Sequence, residues 1–453
     1  MRVHFIAIGG SVMHNLALAL HAKGFQVSGS DDEFFEPSKS RLAAAGLLPK
    51  ETGWHADRIT PDLDAVILGM HAMSDNPELV RAKELGLKVY SFPEYLYEQT
   101  RDKRRIVVGG SHGKTTTTSM IMYVLRKLGR DFDYMVGAQI EGFDTMVRLT
   151  KDAPIAVFEG DEYLSSTLDK TSKFLRYKPN IAIVTGIAWD HINVFPTFDG
   201  YVDTFRKFAK SIEPNGKYIY FAEDENLKSI GSELRADIAI EPYRGLKYTI
   251  EDGRVVVEEG GKRYAMSVFG KHNMQNMNAA MLACEAVGIS RDEFLTAIST
   301  FSGAAKRLQT LCETSKAIAF LDFAHSPSKL KATTNAVRER FPNRKIVAAM
   351  ELHTFSSLNK EFLPQYAHSM DAADEAIVYF NPKEIEHKRL QPIATEDVAR
   401  AFGKDSLSVY TDTEQMVAHL RSFDYTNAVL LIMTSGNFSG LDLRELAKSL
   451  INK

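Results

Sequence analysis

Residues 109–119 read GGSHGKTTTTS, and the reading of this stretch decides the fold. The common phosphate loop, G-x-x-x-x-G-K-[ST], needs a glycine five places before Gly113, and Val108 stands there. The flanks supply what the pattern lacks. The apolar run ending at Val108 reads as a buried strand, and the periodic stretch from about Lys114 reads as a helix. A glycine-rich turn from a strand into a helix N-terminus gathers backbone N–H donors where an anion can approach closely. Gly110, Ser111, His112 and Gly113 would form the cradle. Lys114 would reach the outer phosphates of a nucleotide, and the Thr115 hydroxyl would be a magnesium ligand. The bland alternative is a βα turn that happens to carry a surface lysine.

The same strand–turn–helix pattern opens the chain, as VHFIAIGG before SVMHNLALALHAKG, and recurs as AIAFLDFAHSP before SKLKATTNAVRERF. Further short apolar runs follow each of the three, including DAVILGM, PIAVFEGDE, NIAIVTGIAW, KIVAAMEL and AVLLIMTSGN. Apolar runs alternating with helical stretches predict an α/β protein built on parallel sheets. Residues 247–268 instead alternate and turn at Asp-Gly and Gly-Gly, which predicts antiparallel hairpins, read as an insertion in the middle domain. At 453 residues the chain suits three domains, expected at 1–103, 104–313 and 314–453. A net charge of −3 gives no general electrostatic case for nucleic acid or an anionic membrane. Two isolated cysteines exclude a disulfide framework and fit a reducing compartment. With no apolar stretch long enough to span a bilayer and no signal peptide in the opening residues, the cytoplasm is the expected location.

Ligands of parallel sheets sit at the carboxyl ends of the strands. Two acidic groups fall there: Glu159-Gly-Asp161-Glu162 after PIAVF, and Asp190-His191 after NIAIVTGIAW. Each alone reads as a solvated loop, but together behind a phosphate loop they read as candidate metal ligands, Glu159 and His191 foremost. At the N-terminus, Gly9 and Gly10 precede a helix, and Asp31 follows about 20 residues later. A dinucleotide-binding dehydrogenase is the rival reading, but AIGGSVM lacks the first and last glycines of G-x-G-x-x-G.

With these residues in view, the chain resembles the Mur ligases, ATP-dependent amide-forming enzymes of peptidoglycan metabolism. Their shorter loop, G-[ST]-x-G-K-[ST], is met by residues 110–115. Three further landmarks follow in order: GKHNMQNMNAA at 270–280, GAAKRLQ at 303–309 and LDFAHSP at 321–327. The resemblance spans essentially the whole chain. It implies a Rossmann-like UDP-binding domain, a central P-loop ATPase-like domain and a C-terminal Rossmann-like domain. It also implies ATP contacts at residues 110–116, Thr116 included, and at Asn273, Arg307 and Asp322. Thr115 and Glu159 would hold one magnesium ion and His191 a second. Asn273 and Asp322 could each serve instead as a helix cap.

Several members carry a carbamoylated lysine four residues after a tyrosine; here that place is Phe205, after Tyr201. The departure resembles the branch whose substrate is UDP-N-acetylmuramate. That branch opens G-x-G-G-x-x-M, and this chain has Ala7 for the first glycine. By this resemblance Gly9, Gly10 and Ser11 would cradle the diphosphate, with Ser30, Asp31 and His71 nearby and His325 and His353 toward the amine. Two amine substrates occur in the branch: L-alanine, and the recycled tripeptide L-Ala-γ-D-Glu-meso-diaminopimelate. EGDEYLSSTLDKTSKFLRYKP resembles the tripeptide-using members, whereas ELHTFSS at 351–357 resembles the alanine-using ones. The tripeptide is the expected substrate and L-alanine the alternative. A non-catalytic UDP-sugar-binding scaffold is more distant, since Lys114, Thr115, Glu159 and His191 are all intact.

Overall fold

The computed structural model describes residues 1–140, 142–166, 168–189, 194–251, 253–304 and 306–452. Asp190 and His191 therefore lie outside the described residues. The first sheet is all parallel, β1 (Arg2–Ile6), β2 (Gln26–Ser30), β3 (Ala65–Leu68) and β4 (Val89–Ser91), in the order β2-β1-β3-β4. The second contains β5 (Arg104–Gly109), β6 (Phe132–Met135), β7 (Val147–Arg148), β8 (Ile155–Glu159), β9 (Ile181–Val184), β10 (Lys217–Phe221) and β11 (Ala239–Tyr243). Its order is β11-β10-β9-β5-β8-β6-β7, parallel except where β7 pairs with β6. The phosphate-loop strand β5 thus lies centrally, flanked by β8, which ends in Glu159, and β9.

The hairpins form a separate antiparallel sheet, β12 (Tyr248–Glu251), β13 (Arg254–Glu259) and β14 (Lys262–Met266). The last sheet holds β15 (Gln309–Glu313), β16 (Ala317–Asp322), β17 (Lys345–Leu352), β18 (Glu375–Phe380), β19 (Leu407–Tyr410) and β20 (Ala428–Met433), in the order β15-β16-β20-β17-β18-β19. Only β15 runs antiparallel in it. The expected α/β architecture is present. β5, β8, β9, β16 and β20 are buried almost end to end, as strands covered on both faces must be.

Two compact units contain these sheets. One comprises Met1–Ile187, Val194–Arg244 and Asn278–Phe294; the other includes Gly245–Met277 and the chain from Leu295 onward. The expected hairpins are present, and by packing they cluster with the second unit, within Gly245–Met277. The Tyr248 hydroxyl donates to Glu339 at 2.7 Å, and the Arg340 guanidinium donates to the Gly253 carbonyl at 3.2 Å. Alternation reports that one face of a hairpin is buried, not which neighbour buries it. Residues 309–313, counted with the middle domain in the sequence, form β15 and pair with β16.

Ala7 adopts φ +68, the left-handed conformation that the glycine of the UDP-N-acetylmuramate branch would take without strain. An L-residue there costs about 1–2 kcal/mol. Glycine would lose about 0.5–1 kcal/mol more backbone entropy on folding. Ala7→Gly is therefore expected to stabilise the protein by up to about 1 kcal/mol, read as a higher denaturant midpoint at unchanged slope. A lower midpoint would show that the turn is held by the alanine methyl.

Candidate functional site

The phosphate loop is built by exclusion of side chains. Gly110 sits at φ +135, and a Cβ there would run into the Thr185 hydroxyl at the end of β9. Gly113 is left-handed at φ +77 and leads into the helix Lys114–Lys127. The loop is tied to the next strand's end, with Ser111 N–H donating to the Gly186 carbonyl at 2.9 Å and Thr185 N–H to Gly109 at 3.1 Å. The Thr185 hydroxyl donates to the His112 carbonyl. The His112 ring lies where a side chain on Gly186 would be. Below the loop the rings of Phe174 and Phe208 stack at 4.4 Å, and Phe205 meets Phe174 edge-on at 5.6 Å. Phe205 is fully buried in this cluster.

Lys114 donates to the Gly110 carbonyl at 2.7 Å and to the Glu162 carboxylate at 2.8 Å. Burial alone would lower its pKa, but Glu162, with Asp161 and Glu159, outweighs that and pushes it up to about 12. The lysine is thus a fixed cation. Glu162 is completely buried and also accepts from the Tyr201 hydroxyl at 3.2 Å. Tyr201 in turn bonds Ser111 at 2.8 Å. The Thr115 hydroxyl donates to Glu159 at 2.6 Å, and the Gly137 N–H donates to the other oxygen of the same carboxylate at 2.7 Å. Burial, then the neighbouring Asp161, raises the pKa of Glu159. Thr116 is buried in the first turn of the same helix.

Glu159 and Thr115 fit a magnesium ion. They are adjacent hard oxygen donors beside a phosphate cradle, and the raised pKa marks a carboxylate whose burial an added cation would offset. Among the described residues, no group of three or more His, Cys, Asp or Glu forms a metal cluster.

In the N-terminal sheet, Gly10 precedes the helix Ser11–Ala22 with no side-chain cap, leaving its first N–H groups to the surroundings. Gly9 N–H donates to Asp31 at 2.6 Å, and a Cβ on Gly9 would lie 2.8 Å from that oxygen. Burial, partly countered by the Gly9 N–H, pushes Asp31 up to about 6. An unfolded aspartate titrates near ~3.9. Between those values the folded state holds more protons, so Asp31 weakens the fold as pH rises from about 4 to about 6. Asp31→Asn is expected to remove that decline, read as the difference between the two proteins' stability–pH curves; parallel curves would refute it. Ser30 is turned into the protein interior. It is fully buried, donating to Glu78 at 2.6 Å and accepting from Arg58 at 2.8 Å. Glu78 also accepts from His55 N–H at 2.9 Å and contacts His4 at 3.2 Å. His71 is exposed in the turn after β3.

The remaining expected residues lie in the second unit. Asp322, at the end of β16, accepts from Leu308 N–H and Ala324 N–H, each at 2.7 Å, and from Thr333 at 3.3 Å. It therefore clasps the segment carrying Arg307 rather than capping the following helix, whose N-cap is Ser326. Arg307 lies over the Phe323 ring at 4.7 Å, and His325 meets the same ring at 5.1 Å. Asn273 is the third residue of the helix Lys271–Glu285 and donates to the Phe269 carbonyl at 2.8 Å, so it is not the residue before the helix. His353 follows β17 and lies against Gly436, beyond β20. Lys114, Thr115, Glu159 and Ser111 are thus one cluster, and Arg307, Asp322 and His325 another. Sequence reasoning missed Glu162 as the lysine's partner, Tyr201 as its support, and Gly137; only Glu162 carried a signal, as one of three acids after a strand.

A lysine–carboxylate pair under a glycine loop between a strand and a helix N-terminus is the arrangement of a P-loop nucleotide-dependent enzyme. Family models locate the class more closely: Mur ligase family, catalytic domain, matches residues 2–104; Mur ligase middle domain, residues 108–284; and Mur ligase, glutamate ligase domain, residues 306–436. UDP-N-acetylmuramate–L-alanine ligase of Lactiplantibacillus plantarum is 30% identical, over 96% of this chain and 95% of its own. A murein peptide ligase of Psychrobacter arcticus is 25% identical with TM-score 0.65, covering 100% of this chain and 99% of its own. The UDP-N-acetylmuramate:L-alanyl-γ-D-glutamyl-meso-diaminopimelate ligase structure from Neisseria is 27% identical with TM-score 0.60, over 66% of this chain and 98% of its own. The chain belongs to the Mur ligase family and is an ATP-dependent acid–amino-acid ligase of peptidoglycan synthesis. Among the described residues, no helix is long and apolar enough to cross a membrane.

Proposed function

We propose that the enzyme joins the lactyl carboxylate of UDP-N-acetylmuramate to the amino group of L-alanine, either free or at the head of a peptide. The observation that carries this reading is the buried Lys114–Glu162 pair under the glycine loop, beside Thr115 and Glu159. The carboxylate oxygen would attack the γ-phosphorus of ATP, breaking its bond to the β-phosphate bridge and releasing ADP. The amine would then attack the acyl phosphate carbon, and phosphate would leave as the amine's proton passes to solvent. Phosphorylation supplies the leaving group that a carboxylate lacks.

Lys114 would hold the β- and γ-phosphates while the loop N–H groups orient them. Magnesium held by Thr115 and Glu159 would spread the charge of the transferring group. His191 is proposed as ligand to a second ion, and Asn273, Arg307 and Asp322 as nucleotide contacts. The three expected domains would divide the work: 1–103 for the UDP sugar through Gly9, Gly10, Ser11 and Asp31, 104–313 for ATP, and 314–453, with β15, for the amine near His325 and His353.

Free L-alanine is the amine that the curated relatives' names support. A second reading, the tripeptide, is favoured by one segment. In DKTSKFLR, Asp169 takes Arg176 through Nε at 3.1 Å and Nη2 at 2.7 Å, ordering a stretch that resembles the tripeptide-using members. Phosphate release from ATP, magnesium and UDP-N-acetylmuramate should be measured with L-alanine in one reaction and L-Ala-γ-D-Glu-meso-diaminopimelate in another. Turnover in one reaction alone assigns the amine, and release in neither overturns the proposal.

A further inference from the structure

Asn15 is an unexpected residue for its position. It sits inside the helix Ser11–Ala22, among alanines and leucines, and is fully buried. Asparagine is a poor helix former, and a buried amide is costly unless it is satisfied. Here it is satisfied on both sides. Its Nδ2 donates to the Ser11 carbonyl at 2.8 Å and contacts His14 Nε2 at 3.0 Å. Its Oδ1 accepts from the Met146 N–H at 3.0 Å and from the Arg41 guanidinium at 3.2 Å. Arg41 extends to the Asp144 carbonyl at 2.6 Å. The amide therefore ties the first turn of the N-terminal helix to a segment of the ATP-binding part of the chain.

That segment leads to the metal site. The Met146 carbonyl accepts from the Val136 N–H at 3.0 Å, and the adjoining Gly137 N–H donates to Glu159 at 2.7 Å. A Cβ on Gly137 would lie 3.2 Å from that carboxylate, so the backbone there is seated directly on it. The route Ser11, Asn15, Met146, Val136, Gly137, Glu159 consists of hydrogen bonds and one peptide step, all within the first compact unit. One end lies at the Gly9–Ser11 turn and the other at the proposed magnesium ligand.

We propose that Asn15 and Arg41 are positioning residues that couple occupancy of the Gly9–Ser11 turn by the sugar nucleotide to the affinity of the Glu159–Thr115 site for magnesium nucleotide. This rests on the reading of those two sites given above. A shift of the helix start on binding the diphosphate would move Met146, and with it the Gly137 N–H that fixes one oxygen of Glu159. The coupling is reciprocal, so either ligand tightens the other. ATP would therefore be held most tightly when its acceptor is present.

The test is calorimetric binding of ADP with magnesium, with and without saturating UDP-N-acetylmuramate. In the wild type the sugar nucleotide should tighten ADP binding by about 10-fold, within the usual span of such couplings. In Asn15→Ala the ratio should fall to within about two-fold of unity. Asn15→Asp keeps the acceptor for Met146 and Arg41 but loses the donor to the Ser11 carbonyl, so it should lower the ratio as well. Arg41→Gln should reduce it, and it carries the test if the alanine variant does not fold. A packing role alone would lower the melting temperature and leave the ratio unchanged, which would overturn the proposal, as would a wild-type ratio of one. A wild type that binds ADP but no UDP-N-acetylmuramate would instead refute the function proposed above, and this inference with it.

Discussion

Lys114→Ala is expected to reduce ATP-dependent phosphate release on the order of 10³-fold or more while leaving UDP-N-acetylmuramate binding unchanged. The loss reflects the charge it would present to the transferring phosphoryl group. The substitution should also destabilise the protein, by a different route. Glu162 is fully buried, and Lys114 is the cation beside it at 2.8 Å. Removing one partner of a buried pair costs about 3–5 kcal/mol, because the other charge stays behind. Adding Glu162→Gln to Lys114→Ala should therefore recover much of the stability and none of the turnover. Stability from thermal unfolding and turnover from phosphate release would separate in the double variant. A double variant that regained activity would remove Lys114 from the chemistry.

Glu159→Gln is expected to show the opposite relation between stability and rate. Burial and the neighbouring Asp161 already disfavour the ionised carboxyl, so losing its charge should offset the one acceptor that a glutamine withholds from Thr115 or Gly137, leaving the metal-free protein about as stable as before. Turnover should fall by about 10²–10³-fold, and half-saturation by magnesium should move to higher concentration, because a neutral amide is a weaker ligand for a hard cation. A rate that falls with an unchanged magnesium titration would assign Glu159 to loop architecture instead.

The phosphate loop was legible because strand, glycines, lysine and helix are contiguous, and local sequence dictates each of them. The ends of β8 and β16 were legible for the same reason. The partner of Lys114 was not, because Glu159, Asp161 and Glu162 look alike in sequence. The fold singles out Glu162 by turning it to Lys114 and the Tyr201 hydroxyl. The partner of Ser30 was hidden for a related reason: a polar residue at a strand end suggests a ligand contact, and nothing local points to the buried glutamate of a distant helix that accepts from it. β11 escaped notice because Pro242 argues against a strand, and its position at the sheet edge permits the proline. The hairpins were recognised as hairpins, but their partner is set by Tyr248 and Arg340, contacts that no local pattern encodes. Of the sugar-nucleotide residues, Gly9 and Asp31 were singled out in the sequence, but neither the bond between them nor the supporting network through Glu78 was.

The ring of Phe205 carries a consequence for how the enzyme should be assayed. A carbamate forms when carbon dioxide adds to an uncharged amine, so ligases that need one at this position draw on dissolved inorganic carbon. Here the position is an aromatic side chain packed between Phe174 and Tyr201, with ring centroids 5.6 Å and 5.2 Å away. No nitrogen is present at that position to be carboxylated. Rates in degassed, bicarbonate-free buffer should match those in air-equilibrated buffer, and the enzyme's output should be indifferent to the partial pressure of carbon dioxide.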